Sequence, residues 1–180
     1  LIPKGAKLHI TREPGGTALG MELRKLLLQK NNKIEPEPIT ELLLYAADRA
    51  QHISQIIKPA LDRGDWIISD RFSGSTIAYQ GYGRKLNIDL IKQLELIATQ
   101  EIQPDLTLLL NIPISVSFSR RVAAQNDRIE DEGLAFLNRV AKGFNELAKE
   151  RKWVNIPGQL EQALVSKEIE KALLLFFGIR

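Results

Sequence analysis

The sequence contains no cysteine and only two histidines among its 180 residues. Disulfide bonds, thiolate metal sites and cysteine nucleophiles are therefore excluded, and His9 and His52 cannot form a histidine-based metal site by themselves. Any metal would be held by oxygen ligands. No apolar run approaches the roughly 20 residues of a membrane span, and no signal-peptide pattern opens the chain. These absences predict a cytoplasmic protein.

The composition has the balance of one globular domain. Hydrophobic residues make up 44% of the chain and charged residues 26%, which is enough to bury a core. The formal charge of +3 suits a site for anionic phosphates, but equally a surface with a slight excess of lysine. The basic residues are dispersed among acidic ones without an aromatic stacking pattern, so the sequence gives a nucleic-acid-binding role little support.

Short apolar runs alternate along the chain with longer amphipathic stretches. The runs that predict buried parallel strands are 7–11, 66–69, 106–112 and 153–156. The stretches with helical spacing are 17–29, 38–63, 87–98, 113–123, 131–152 and 159–177. This alternation predicts one α/β domain, with a parallel sheet flanked by helices. The polar, arginine-flanked segment at about 120–131 predicts a mobile lid.

Charged residues follow the first two predicted strands, at the ends where open α/β sheets bind ligands. The first strand leads into residues 11–17 and the second into Asp70 and Arg71. Arg12 and Arg71 should therefore converge on one rim, where their planar guanidinium groups suit phosphate oxygens. Asp70 could hold a magnesium-bound water there. Taken alone, Arg12–Glu13 and Asp70–Arg71 would each fit a surface ion pair.

Tyr45 and Arg49 lie four residues apart on the predicted helix 38–63 and so share one face. This arrangement could stack a nucleobase and bind its phosphate. The alternative interpretation places Tyr45 at the edge of the core and pairs Arg49 with Asp48 or Asp62 through solvent.

Hydroxyl groups and further arginines complete the candidate residues. Thr76 and Tyr79 lie three residues apart on a helical turn after the second strand, where they could read a base edge and a sugar. Arg120, Arg121 and Arg128 flank the predicted lid. An arginine carried by a lid can neutralise charge that develops on a transferred phosphoryl group, although such arginines also fit a solvated helix end.

Four motifs occur in an order that resembles the bacterial thymidylate kinases. They are TREPGGT at 11–17, DRF at 70–72, AYQG at 78–81 and DRIE at 127–130, and the resemblance covers nearly the whole chain. It implies a P-loop NTPase-type fold and transfer of the γ-phosphoryl group of ATP to dTMP, giving dTDP. It also implies Mg²⁺ bound with ATP, and a homodimer formed through helix packing.

The resemblance assigns a role to each candidate residue. In the acceptor site Tyr45 stacks on thymine, Arg49 lies near the phosphate and sugar, Thr76 reads the thymine edge, and Tyr79 crowds the sugar 2′ carbon and so favours deoxyribose. Arg71 binds the acceptor phosphate beside Asp70, which lies near the magnesium, while Arg12 and Pro14 line the loop. Arg120, Arg121 and Arg128 are the candidates for a catalytic lid arginine.

The sequence departs from the family pattern at three places, one of which is a lid that is shorter than usual between Arg121 and Asp127. It contains no Gly-x-x-x-x-Gly-Lys-Ser/Thr motif, so we expect this chain to be the acceptor and lid portion of a kinase domain. That portion would lack the N-terminal strand, the phosphate-binding loop and the first helix, and would be inactive by itself. The predicted strand after Pro104 ends at Asn111, where the family often has aspartate.

Two other functions remain open from the sequence. A deoxynucleoside kinase would accept an uncharged nucleoside, and so would need fewer arginines at the acceptor phosphate than Arg12, Arg49 and Arg71 provide. A non-catalytic nucleotide-binding remnant would fit the missing phosphate-binding motif.

Overall fold

The computed structural model describes residues 2–30, 35–121 and 127–179, without the side chains of 118–121 and 130. The strands are β1 (Leu8–Arg12), β2 (Trp66–Asp70), β3 (Leu108–Asn111) and β4 (Val154–Pro157). The helices are α1 (Ala18–Leu28), α2 (Pro38–His52), α3 (Lys58–Asp62), α4 (Ser73–Thr76), α5 (Ile88–Thr99), α6 (Ile114–Arg121), α7 (Leu134–Glu150) and α8 (Gln162–Phe176). The predicted α/β class is confirmed.

The strands pair in parallel, β1 with β2 and β3 with β4. In the first pair the register runs from Leu8 opposite Trp66 to Arg12 opposite Asp70. The carboxyl ends of β1 and β2 therefore lie side by side, and the two segments predicted to bind ligand leave the sheet at one edge. The sequence analysis expected a single sheet, but no described strand joins β2 to β3, so the described residues form two two-stranded sheets.

Two helices, α1 and α5, start at local capping signals. The Thr17 side chain caps α1 by accepting a hydrogen bond of 2.9 Å from the Gly20 N–H. Asn87 caps α5 in the same way, because its Oδ1 accepts from the N–H groups of Asp89 and Leu90. The predicted helix 38–63 is one helical run, in which a π-helical turn joins α2 to α3. A second π-helical segment, Ile77–Gly83, continues α4.

The core lies between α2, α5, α7 and the helical segment 73–83. Its buried members are Leu42, Ile77, Ala78, Ile91, Ile129, Phe136, Val140 and Leu147. In segment 73–83, a Cβ added at Gly83 would lie 2.6 Å from the Phe136 ring, so the absence of a side chain permits close contact with α7. This packing holds α2, α5 and α7 around segment 73–83, which follows β2 in the chain.

Some strand side chains are more exposed than the predicted buried strands would be. Ile10 is 78% exposed, Ile68 is 55% exposed and Leu110 is 54% exposed. The expectation of strands buried on both faces is therefore wrong for the described structure, because no described element covers these side chains. In the described ranges, no helix combines the length and apolar character needed to cross a bilayer.

The predicted lid falls partly outside the described residues, since 122–126 are not among them. On its amino-terminal side α6 ends at Arg121, and on its carboxyl-terminal side a short 3₁₀ turn covers Glu130–Glu132. The next helix was predicted to start at residue 131 but starts at Leu134. The reason is Gly133, whose φ of 86° is not helical.

Candidate active site

An open pocket of about 100 Å³ lies beside the carboxyl ends of β1 and β2. Its walls come from the loop after β1, from α1 and α2, from segment 71–80 and from segment 127–129. Six residues predicted from the sequence line it, namely Pro14, Tyr45, Arg49, Arg71, Thr76 and Tyr79. These six residues are spread along the sequence between Pro14 and Tyr79. The parallel pairing of β1 and β2 helps to bring them to one place.

Arg71 follows β2 directly and has a left-handed backbone with φ of 69°. Such a conformation is uncommon for a residue other than glycine. Here the Ser69 hydroxyl donates a hydrogen bond of 2.8 Å to the Arg71 carbonyl oxygen. The guanidinium carbon lies 5.2 Å from the centroid of the Tyr79 ring, a cation–π distance. Arg71 therefore presents a positioned cation to the pocket.

Aromatic rings form two parts of the pocket wall. Tyr79 meets the Phe144 ring edge-on, with 5.9 Å between centroids, so α7 supports it from behind. Tyr45 is half-buried on α2. Desolvation raises the pKa of the Tyr45 phenol, and the Glu41 carboxylate adds to the rise, so Tyr45 remains a neutral ring at physiological pH. Both rings could contact a planar, uncharged ligand group.

Arg49 is held in a buried hydrogen-bond network and only 2% of its side chain is exposed. Its Nε donates to Glu13 Oε2 over 2.8 Å, and its Nη1 donates to Thr76 Oγ1 over 2.9 Å. Nη1 also donates to Glu95 Oε1. The predicted helix-face pair of Tyr45 and Arg49 thus reaches the pocket, but with Arg49 deeply anchored.

The interpretation that paired Arg49 with Asp48 or Asp62 through solvent is wrong. Asp48 is 1% exposed, and its Oδ1 accepts a hydrogen bond of 3.0 Å from the Gly15 N–H. Burial raises the pKa of Asp48, while the bond from Gly15 lowers it and the nearby Glu13 raises it further. Asp48 therefore ties the loop after β1 to α2.

Glu13 is a site residue that the sequence analysis missed. It is 3% exposed, and its Oε1 accepts from the Nδ1 of His52 over 2.8 Å. The other ring nitrogen, Nε2, lies 2.7 Å from Thr11 Oγ1. A buried chain of contacts thus runs from Thr11 through His52 and Glu13 to Arg49. The sequence did contain a signal for this buried chain. Tyr45, Arg49 and His52 are spaced i, i+4 and i+7, which marks a polar stripe on one helix face that needs polar partners such as Glu13.

Arg12 and Asp70 are exposed and do not line the pocket. The Arg12 guanidinium donates to Met21, with 3.9 Å between Nη2 and Sδ. The proposed surface pair of Arg12 with Glu13 is also wrong. Successive side chains of an extended segment point in opposite directions, so Glu13 turns inward where Arg12 turns outward.

Of the three predicted lid arginines, the structure describes the side chain of Arg128 alone. The side chains of Arg120 and Arg121 lie outside the described residues. The Nε of Arg128 donates to the Leu27 carbonyl oxygen over 3.0 Å, and its Nη2 donates to Glu41. Arg128 is thereby attached to the ends of α1 and α2.

Glu41 is fully buried and collects several donors. It accepts from Gln80 Nε2 over 2.8 Å and from Arg84 Nη2 over 3.0 Å, as well as from Arg128. Burial raises the pKa of Glu41, but Arg84, Gln80 and Arg128 outweigh it and the net shift is downward. This cluster holds segment 127–129, which contributes to the pocket, against α2.

The described residues include no group of three or more histidine, cysteine or acidic side chains that could hold a metal ion. Mg²⁺ in phosphoryl-transfer sites usually keeps several waters and takes one or two carboxylates plus the substrate phosphates. Asp70 offers one exposed carboxylate at the end of β2, next to Arg71, and one carboxylate fits that pattern.

Comparison with known proteins points to one family. The family model described as "Thymidylate kinase" matches residues 1–169. The chain is 58% identical to the thymidylate kinase of Prochlorococcus marinus (strain MIT 9313), over 99% of this chain and 82% of that protein. It is 55% identical to the thymidylate kinase of Synechococcus sp. (strain CC9311), over 97% of this chain and 82% of that protein.

A solved structure gives the same answer for the fold. The crystal structure of thymidylate kinase from Ehrlichia chaffeensis superposes with a TM-score of 0.71 and 32% sequence identity. The match covers 93% of this chain and 80% of that one. The expected P-loop NTPase-type α/β fold is therefore confirmed.

Proposed function

The chain belongs to the thymidylate kinase family, and we propose that it transfers the γ-phosphoryl group of ATP to dTMP, giving dTDP. The observation that carries this proposal is the pocket that unites Tyr45, Arg71, Thr76 and Tyr79 beside the ends of β1 and β2. It combines a positioned cation for a phosphate with aromatic walls for a base and a sugar. The family membership supplies the reaction type.

We assign recognition of the acceptor to the pocket residues. Arg71 binds the acceptor phosphate, because it lines the pocket and its guanidinium lies over the Tyr79 ring. Tyr45 stacks on thymine, and Tyr79 crowds the 2′ carbon of the sugar. Thr76 is 2% exposed and accepts a hydrogen bond from Arg49, so Thr76 would read the thymine edge while Arg49 lies near the phosphate and sugar.

The loop after β1 completes the acceptor side. Pro14 lines the pocket, and its carbonyl oxygen accepts a hydrogen bond of 2.9 Å from Arg24 Nη1. Arg12 stands outside the described pocket, and we retain it as a loop residue near the phosphates. Any contact between Arg12 and dTMP would need the exposed guanidinium to leave Met21.

In the proposed reaction an oxygen of the dTMP phosphate attacks the γ-phosphorus of ATP. The bond from the γ-phosphorus to the bridging oxygen breaks, and ADP leaves with that electron pair. Phosphoryl transfer depends mainly on positioning and on stabilisation of charge. When bound, Mg²⁺ would neutralise phosphate charge, and we propose that Asp70 orients one of its waters.

Arg120, Arg121 and Arg128 are our candidates for the arginine that stabilises the transferred group. Arg128 would first have to leave Glu41 and the Leu27 carbonyl oxygen. Single replacement by alanine in the full-length protein should lower kcat about 1,000-fold at the catalytic position. Unchanged turnover in all three variants would overturn the assignment.

Binding and turnover measurements separate dTMP from other acceptors. We expect calorimetry to show at least about tenfold tighter binding of dTMP than of thymidine, because one charged hydrogen-bond network to the phosphate is worth that much. Arg71→Ala should abolish the difference, whereas Lys92→Gln, which alters an exposed pair with Glu150, should not. Equal or tighter binding of thymidine would favour a deoxynucleoside kinase, and absence of dTMP phosphorylation by the full-length protein would favour a non-catalytic module.

We further propose that the protein is a homodimer through the α2–α5 face. These two helices pack on each other and carry exposed apolar residues, among them Leu43 at 53%, Leu90 at 48% and Ile97 at 75% exposure. Sedimentation should give a dimer for the wild type and a monomer for Leu43→Asp. A wild-type monomer at micromolar concentration would overturn this proposal.

We also assign the protein to the cytoplasm. The support is chemical, because both proposed substrates are charged nucleotides that do not cross a bilayer unaided. Fractionation of cells that express the protein should recover it with other cytoplasmic enzymes, and recovery in a membrane or extracellular fraction would contradict the assignment.

A further inference from the structure

The hydrogen-bond donors of Arg49 are unevenly occupied. A guanidinium group has five N–H donors in a rigid plane. The Nε–H is bound to Glu13, and the two N–H groups of Nη1 are bound to Thr76 and Glu95. Among the described residues, Nη2 has no hydrogen-bond partner. Because Arg49 lines the pocket, Nη2 is the part of this side chain left for a ligand.

Glu95 reaches Arg49 from α5, an element that does not line the pocket. Its side chain is 8% exposed, and its Oε1 is the atom in contact with Arg49. The other oxygen, Oε2, is buried without a hydrogen-bond partner in the described part of the chain. A buried oxygen in that state costs free energy. The main favourable contact of the Glu95 carboxylate is therefore the one with Arg49.

The two carboxylates grip Arg49 from different elements. Glu13 comes from the loop after β1 and Glu95 from α5, and they bind different nitrogens of the same planar group. The Phe72 ring covers one face of the guanidinium, with 5.6 Å from Cζ to the ring centroid. Two in-plane contacts and one face contact leave the group with little freedom to rotate.

We infer that Glu95 is a positioning residue of the acceptor site, which holds Arg49 so that its Nη2 faces the nucleotide. The inference rests on the proposed function, because the ligand in question is dTMP. Glu95 itself does not touch the ligand. Its effect is transmitted through Arg49.

Removal of Glu95 should change positioning more than folding. Without it, Arg49 still has the Glu13 carboxylate as a counter-charge, so no unpaired buried cation is created. The guanidinium loses one of its two in-plane anchors. We therefore expect dTMP binding to weaken while the fold remains.

The test compares Glu95→Leu and Glu95→Gln with the wild type. The leucine variant removes the acceptor for Nη1, whereas glutamine retains an acceptor oxygen without the charge. We expect Glu95→Leu to raise the Kd of dTMP about tenfold, and glutamine to restore it to within about threefold. In the full-length protein, kcat and the KM for ATP should stay within about threefold of the wild type.

Lys92→Gln is the matched control, because Lys92 lies on the same helix and pairs with the exposed Glu150. Its Kd should be unchanged. An unchanged Kd for Glu95→Leu would overturn the inference, and so would equal losses in kcat and both KM values, which indicate a general structural role. Failure of glutamine to restore binding would also overturn it. Failure of the wild type to phosphorylate dTMP would instead overturn the proposed function, since the comparison of Kd values does not depend on turnover.

Discussion

Arg128 donates a hydrogen bond to Glu41, a residue 87 positions earlier in the chain. The contact attaches the carboxyl-terminal part of the predicted lid to α2, and Arg128 also reaches the end of α1 through the Leu27 carbonyl oxygen. Glu41 is fully buried, so its charge depends on this arginine and on Arg84. One carboxylate thus connects three separate parts of the pocket wall.

We expect Glu41→Gln to lower the free energy of unfolding by about 3 kcal/mol. The substitution leaves Arg128 without its buried counter-charge and leaves Arg84 with only the less buried Glu132, and removal of one partner is the costly way to break an ion pair. Urea denaturation at neutral pH measures the effect. The matched control is Glu22→Gln, which breaks an exposed pair with Lys25 and should change stability by less than about 0.5 kcal/mol. Similar small losses in both variants would contradict the structural role of Glu41.

The same residue predicts a dependence of stability on acid pH. The pKa of Glu41 in the folded protein lies below its ordinary value of 4.5. Its stabilising contribution is therefore fully present above pH 4.5 and is lost as the pH falls through the folded pKa. Between about pH 5 and pH 3, the wild type should lose more stability than Glu41→Gln. Parallel curves for the two proteins would exclude Glu41 as the group responsible.

The pKa of Glu95 predicts that stability also depends on pH near neutrality, in the opposite direction. Burial raises the pKa of Glu95 to about 7, against the attraction of Arg49, while Glu13 adds to the rise and Thr76 and Arg151 oppose it. The folded state therefore binds a proton between about pH 4.5 and 7 that the unfolded state has released. Stability falls as the pH rises through this window.

Glu95→Gln removes this titration. The free energy of unfolding of this variant, relative to that of the wild type, should therefore rise by about 3 kcal/mol as the pH increases from about 5 to about 8. Thermal denaturation at a series of pH values measures the difference between the two proteins. A difference that does not vary with pH would show that Glu95 does not titrate in this range.

The Tyr79 ring should position Arg71. We expect Tyr79→Leu to raise the KM for dTMP about tenfold, because the guanidinium loses the ring that lies 5.2 Å below it. Tyr79→Phe keeps the ring and should stay within about threefold of the wild type. Steady-state kinetics of the full-length protein measure both. Equal losses in the two variants would assign the effect to the hydroxyl group instead.

Gly20 should be intolerant of a side chain. A Cβ at this position would lie 2.3 Å from Asp48 Oδ1, the atom that accepts the Gly15 N–H. We expect Gly20→Ala to lower the free energy of unfolding by about 2 kcal/mol and to weaken dTMP binding, because Asp48 must leave the loop. The control is Gly81→Ala, whose nearest neighbour is Ile88 at 3.3 Å, and which should cost less than about 1 kcal/mol. Equal losses would contradict the role of Asp48.

Much of the architecture was predictable because it depends on local signals. Helix α1 starts at the Thr17 cap and α5 at the Asn87 cap, and both are readable as short patterns. The motifs at 11–17 and 70–72 could be placed at one edge because parallel strands have their carboxyl ends together. The lengths of the strands and the start of α7 were less predictable, since element ends depend on single residues such as Gly133.

By itself, the sequence determined the α/β class, the family motifs and six of the residues that line the pocket. Only the tertiary structure decided which neighbour in Arg12–Glu13 faces inward and which partners Arg49 has. Those partners, Glu13 and Glu95, lie 36 and 46 residues away from it in the chain. Periodicity records which face of an element is apolar, but the pairing of charges between elements depends on how those elements pack, and local spacing carries no information about that.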